Sequence, residues 1–231
     1  MELTPLYEKT VKCPLCTHSF KTTKIRGRFI RVTGYKSDLQ PVYQDPSINP
    51  NYYHISVCNE CGYSFSDDFA PYFPPQSRER IDEKIRKQWN PQNFSGERSE
   101  ALAISSYKLA VYCALLKAEK NITLAGLYLR LSWIYRSLDN ADQQKRFQRL
   151  ALQSYLQSYS VDDYSGTPMS TERLLYLIAE LSLQLKDERQ ATQYFSKIIE
   201  NQHSATEPKI VKMAKERWQD FRETRTQKTP T

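Results

Sequence analysis

Glycine is scarce in this chain: 6 among 231 residues. Sandwiches and barrels turn often and lean on glycine to do so, so the shortage favours helices, with turns left to Pro, Asn and Asp. Long apolar runs are missing too. The richest stretch, Leu174 to Leu185, is broken by Glu180, far short of the roughly 18 apolar residues of a membrane span. The start, Met1-Glu2-Leu3-Thr4-Pro5, has neither the basic nor the apolar region of a secretory signal. No membrane association is expected, and the expected compartment is the cytoplasm. Motifs of known catalysis are likewise absent: no HExxH, GxSxG, GxxxxGK[ST] or GxGxxG occurs, and the acidic pairs Asp67-Asp68 and Asp162-Asp163 fall in expected loops. A non-enzymatic protein is expected.

What is present begins with cysteine. Four of the five cysteines form two CxxC units, Cys13-Pro14-Leu15-Cys16 and Cys58-Asn59-Glu60-Cys61. A two-residue gap lets two thiolates curl around one ion, and two such units supply the four soft ligands of a tetrahedral zinc site. Thiols of a cytoplasmic protein stay reduced, which turns the pattern away from structural disulfides. Iron in the same four-sulfur cage is the alternative metal. The 41-residue spacer between the units must hold a hairpin plus an excursion; loop closure costs only about 0.6 kcal/mol per doubling of length. Gly62 follows the second unit and suits a turn with positive φ, whereas Thr17 stands at the equivalent place after the first. His18 and His54 lie near the units but are not needed as ligands. His203 has no partner motif, and Cys113 sits on an apolar helix face as expected core.

The chain divides at about residue 75. In 1–75 a strand or hairpin is expected over 20–33, a loop over 34–51, and a strand over 52–57 that delivers the second cysteine pair. After a Pro-rich linker the periodicity becomes helical, with expected helices at 77–89, 97–119, 122–138, 141–160, 170–186, 188–201 and 207–226. Asn121 and Ser170 are expected N-caps. Leu175, Ile178, Ala179 and Ser182, followed by Ala191, Phe195 and Ile198, fall near the offsets of a tetratricopeptide unit. Leu131, Ser132 and Tyr135 start a looser copy, and Ala103, Tyr107 and Ala110 resemble one helix of a third; an unrelated helical bundle would give similar spacing. The expected fold class is mainly α: a small β zinc-ribbon-like unit (1–75), then a tetratricopeptide-like array of antiparallel helix pairs (76–231).

Several runs together resemble a bacterial family of unknown function, DUF2225. They are LYEKTVKCPLC (6–16), VCNECGY (57–63), Gly96-Glu97-Arg98, YKLAVYCA (107–114), LAGLYLRLSW (124–133), LYLIAEL (175–181) and YFSKII (194–199). The family pattern has glycine after the first cysteine pair, from which Thr17 departs. The resemblance implies a zinc-ribbon-like head and tetratricopeptide-like helices, and implies no reaction.

The formal charge of +7 is uneven, +1 over residues 1–75 and +6 over the rest, and reads as a solvated basic surface unless it gathers on one face. The run Lys21, Lys24, Arg26, Arg28 and Arg31, with no acid between residues 9 and 37 and with Phe20, Phe29 and Tyr35 interleaved, is the candidate anion or nucleic-acid contact. Three functions are in view. One is an adaptor or scaffold for a protein or peptide partner, with Tyr128, Tyr135, Tyr155 and Tyr159 as candidate groove lining. The second is nucleic-acid binding through the basic run. The third is a thiol redox enzyme or sensor using a CxxC unit.

Overall fold

A computed structural model of the protein describes residues 3–227, without the side chains of residues 224–227. The amino-terminal part is built from three two-stranded antiparallel sheets. β1 (Leu6–Lys12) pairs with β2 (Ser19–Ile25) in a continuous register from Leu6↔Ile25 to Lys12↔Ser19, and the turn between them carries the first cysteine pair. β3 (Val32–Tyr35) and β4 (Pro41–Tyr43) form a hairpin within the long spacer. β5 (Ser56–Val57) and β6 (Ser64–Phe65) flank the second pair. Seven helices follow among the described residues: α1 (Ser77–Lys84), α2 (Glu100–Lys117), α3 (Asn121–Ser137), α4 (Ala141–Val161), α5 (Thr171–Gln184), α6 (Glu188–Glu200) and α7 (Pro208–Gln227). The expected mainly-α class with a small β head is therefore what the chain forms. Short links such as 138–140 and 185–187 fold α4 back on α3 and α6 back on α5.

The helices start where the sequence supplies an acceptor for orphan N–H groups. Ser99, Asn140, Ser170 and Asp187 each accept from the amide three residues on. Asn121 does not cap as expected. It is the first helical residue of α3, and the acceptor comes from the α4–α5 loop, where the Asp163 carboxylate takes the amides of Asn121 (2.6 Å) and Ile122 (3.4 Å). The first helix also stops early, passing at Ile85 into a 3₁₀ turn, Arg86–Gln88.

Two expectations about the head change. The segment 52–57 is not a strand through its length: Pro50–Tyr53 is a 3₁₀ turn and only Ser56–Val57 pairs. Two inward-pointing cations claim its carbonyls. Lys24 Nζ donates to the oxygens of Tyr53 (3.0 Å) and His54 (3.4 Å), and Arg98 Nη1 donates to those of Tyr52 (3.0 Å) and Ile55 (2.8 Å). The expected loop 34–51 contains β4 and a docked tip. There the buried Asp38 accepts from Trp133 Nε1 (3.0 Å) and from both Nη atoms of Arg136, while Leu39 packs into the α3–α7 core.

Packing runs across residue 75. Ile55 and Val57 share a buried cluster with Tyr107, Leu127 and Leu131 of α2 and α3. The cysteine pairs share another with Ile81, Ile85 and Cys113 of the first helices. A third cluster joins α3 to α7 around Leu174, Ile178 and Phe195. At the linker, Lys117 and Glu119 form a fully buried ion pair (2.5 Å); Lys117 also donates to the oxygen of Ala70, and Glu119 accepts the Ala70 amide at 3.0 Å.

Candidate metal centre

Each cysteine pair sits in the same turn. The amide of the first cysteine bonds the carbonyl five residues on, Cys13 to His18 (2.8 Å) and Cys58 to Tyr63 (3.0 Å). The carbonyl of that cysteine accepts the amide four residues on, from Thr17 (3.0 Å) and Gly62 (2.9 Å). Closing the turn requires a left-handed residue, and φ is 63° at Thr17 and 73° at Gly62. Within each turn backbone amides reach back to sulfur: those of Leu15 and Cys16 to Cys13, those of Glu60 and Cys61 to Cys58.

The two turns face each other. The Sγ atoms of Cys13, Cys16, Cys58 and Cys61 all lie within 4.8 Å of one another, with Cys13–Cys61 and Cys16–Cys58 both at 3.7 Å. A tetrahedral ion holding sulfur at about 2.3 Å sets the sulfurs about 3.8 Å apart, so the four donors fit such an ion. Three of the four residues are buried and Cys16 is half-buried. Without a cation the sulfurs share protons. Hydrogen bonds from Cys13 and then Cys61 pull the Cys58 thiol down to about 2. The bond with Cys58 pushes Cys13 up to about 12, and those with Cys13 and Cys58 push Cys61 up as well. Such crowding favours a divalent cation, which would stabilise all the thiolates at once.

Two residues that no motif marks cover the centre. Arg78 of α1 donates to the carbonyls of Leu15 (3.1 Å) and Pro14 (3.4 Å) and lies 4.0 Å over the Phe73 ring. It brings positive charge to a site whose four thiolates and one divalent ion would sum to a net −2. Trp89 Nε1 donates to Asn59 O at 2.8 Å, and the indole lies so close to Gly62 that a Cβ there would meet it at 2.4 Å. One stretch, 78–89, thus caps both turns.

The other candidate residues are placed as follows. Cys113 is not among the four; its Sγ accepts the Ser64 amide at 3.2 Å, and burial pushes its thiol up to about 12. The His18 carbonyl accepts the Cys13 amide that closes the first turn. His54 lies away from the sulfurs, 3.2 Å from Asp68, with its pKa lowered mainly by burial. His203 is in the 3₁₀ turn before α7. Of the basic run, Lys21 pairs with Glu8 (2.7 Å), Lys24 is turned inward, and Arg26 bonds Thr4 O and lies over Tyr7. Arg28 and Arg31 remain exposed and line one cleft. Tyr155 and Tyr135 are buried, the latter stacked 5.4 Å from Phe147; Tyr128 is half-buried, and Tyr159 lines a cavity at the ends of α4, α5 and α6.

Among the described residues no helix is long and apolar enough to cross a membrane. A family model described as an uncharacterized protein conserved in bacteria (DUF2225) matches residues 6–221. No curated protein and no solved structure matches the chain.

Proposed function

The chain belongs to the DUF2225 family, and we propose that it is a zinc-stabilised adaptor that presents its helical array to a protein or peptide partner. The convergence of the four cysteine sulfurs carries this reading. A four-sulfur site is closed: it leaves no coordination position for water or substrate, which suits a structural ion and not a catalytic one. Zinc is assigned over iron because it needs no redox role and occupies such cages as a folding element. The ion holds the two turns; Arg78 and Trp89 then tie that head to the helices.

The partner face is placed at the far end of the array, in a tetratricopeptide-like arrangement of the pairs α3–α4 and α5–α6. A cavity of about 500 Å³ lies there, lined by Tyr159, Tyr164, Met169, Leu175 and Ile198. Its lining also carries the hydroxyls of Ser170, Thr171, Ser204 and Thr206 with Asn201 and Glu172, and this mixture of apolar walls and hydrogen-bonding groups suits a peptide segment. The protein is assigned to the cytoplasm, where unoxidised cysteines load zinc.

Elemental analysis of purified protein is expected to give one zinc per chain, lost in Cys13→Ser and Cys58→Ser. Affinity capture from native cells, with and without nuclease, is expected to recover the same protein partner in both arms. Absence of stoichiometric metal, or capture that disappears with nuclease, overturns the assignment.

A further inference from the structure

The adaptor function leaves one part of the head unused, the outer edge of β1 and the cleft at its start. Arg26 N donates to Pro5 O and Cys13 N to His18 O, and the register between them is unbroken. Antiparallel pairs alternate between bonded and non-bonded. The odd-numbered residues of β1 therefore bond to β2, and Glu8, Thr10 and Lys12 turn their N–H and C=O groups to the other side. No strand lies there among the described residues, because β1 pairs with β2 alone. Leu6 also faces outward, but its oxygen is occupied by Thr4 Oγ1 at 3.0 Å. A long open edge is a template for an added strand.

The residues before this strand, Leu3, Thr4 and Pro5, form one wall of a cleft of about 900 Å³. Its other lining includes Arg28, Phe29, Arg31 and Ile48. The rest of the basic run is engaged elsewhere, and among the described residues neither Arg28 nor Arg31 forms an ion pair. Arg28 lies 4.9 Å over the Phe29 ring, which holds its guanidinium at the cleft. Asp45 shares the cleft with one carboxylate oxygen held by the Ser47 amide (2.9 Å) and hydroxyl (2.7 Å). Two cations beside apolar walls and one fixed carboxylate do not make the continuous basic track that a phosphate backbone needs. They match a peptide that brings one or two carboxylates among apolar side chains.

We propose that an extended acidic peptide segment adds as a third strand along the outer edge of β1 and seats a carboxylate between Arg28 and Arg31. The inference rests on the adaptor reading and names a second contact for it, on the head. Main-chain bonds to Glu8, Thr10 and Lys12 would supply affinity, and the arginines and the Leu3, Phe29 and Ile48 side chains selectivity.

The test is an array of random octapeptides probed with the metal-loaded full chain, followed by titration of the tightest binders and of an eight-nucleotide oligo-dT. Enriched peptides are expected to carry Asp or Glu flanked by Leu, Ile or Phe. Arg28→Ala with Arg31→Ala is expected to weaken them at least tenfold. Thr10→Pro removes one outward N–H while leaving the β1–β2 bonds intact; it is expected to weaken binding as much, with metal content and melting temperature unchanged. Enrichment without acids, variants that bind as tightly as the parent, or oligo-dT binding tighter than the peptides overturns the proposal. A nuclease-resistant partner that both variants still capture would refute this site and leave the adaptor function standing.

Discussion

Thr17 and Gly62 occupy the same position in two turns with the same backbone hydrogen bonds, with φ of 63° and 73°. Glycine enters that region freely, whereas a β-branched residue is strained there, at a cost of roughly 1–2 kcal/mol. Thr17→Gly is therefore expected to stabilise the metal-loaded protein by about 1 kcal/mol, less whatever the unfolded chain gains in freedom. Gly62→Ala meets a second penalty, since its Cβ would stand 2.4 Å from Trp89. Moving the indole would also strain its bond to Asn59, and a loss of at least about 2 kcal/mol is expected. Urea denaturation of the two variants, followed through tryptophan fluorescence, reads both effects. Equal and small shifts would mean that the turns carry no conformational strain. The asymmetry is visible in the sequence as a missing glycine; the reason it matters more on the second turn is not, because Trp89 is 27 residues away from Gly62.

At the scale of elements, the most exacting contact is the Lys117–Glu119 pair, with side chains only 2% and 1% exposed. It closes the carboxyl end of α2 and grips the linker through the backbone of Ala70. The Lys117 ammonium also lies 4.7 Å from the Phe73 ring. Removing one partner leaves the other charge buried without compensation, a cost of roughly 3–5 kcal/mol, whereas replacing both by apolar residues can be nearly neutral. Lys117→Met is expected to destabilise by about that amount. Lys117→Met with Glu119→Leu is expected to recover most of it in a double-mutant cycle measured by denaturant melts. Additive single effects would show that the pair is not coupled.

Neither this pair nor the Asp38 dock announces itself locally, and the two mark how far sequence reasoning reached. The helices α2 to α7 were legible because each carries apolar residues at helical spacing, and the four cysteines because ligand spacing is itself local. β1 is not legible in the sequence since a two-stranded sheet buries neither face fully: Glu8, Lys9 and Thr10 are all exposed, so no clean alternation marks it. The segment 52–57 departs from its local pattern for another reason. Its aromatic and β-branched residues favour a strand, yet Lys24 and Arg98, 29 and 43 residues away from Tyr53 and Ile55, take the carbonyls a ladder would use. Long-range polar contacts override propensity without leaving a pattern in the string.

For the molecule as a whole, the shared cores decide what the proposed metal would stabilise. Four thiolates brought together without a cation repel one another, and a structural zinc contributes on the order of 10 kcal/mol to folding. Within the head itself little else holds the two turns, since its sheets are two-stranded and pairs of that kind are marginal alone, and its other anchors, Ile55, Val57 and Asp38, are held by α2 and α3. Loss of the ion would open both turns and release Arg78 and Trp89, which bond their carbonyls. It would also strip Ile81, Ile85 and Cys113 of their buried neighbours. The damage should stop within α2 and α3, because α5, α6 and α7 pack in a separate cluster that contains no head residue in its buried centre. Chelation is therefore expected to be graded. In hydrogen exchange read by mass spectrometry, protection falls by at least a hundredfold over residues 6–25, 56–65 and 77–89. It falls partly over 100–117 and little over 171–200. The Asp38 dock predicts an intermediate response at 36–40, held from the α3 side through Trp133 and Arg136. Uniform loss along the chain would mean that the whole molecule is one cooperative unit organised by the ion. No loss anywhere would mean that the sulfurs are drawn together by packing alone, and the metal would cease to be the element that holds the head to the array.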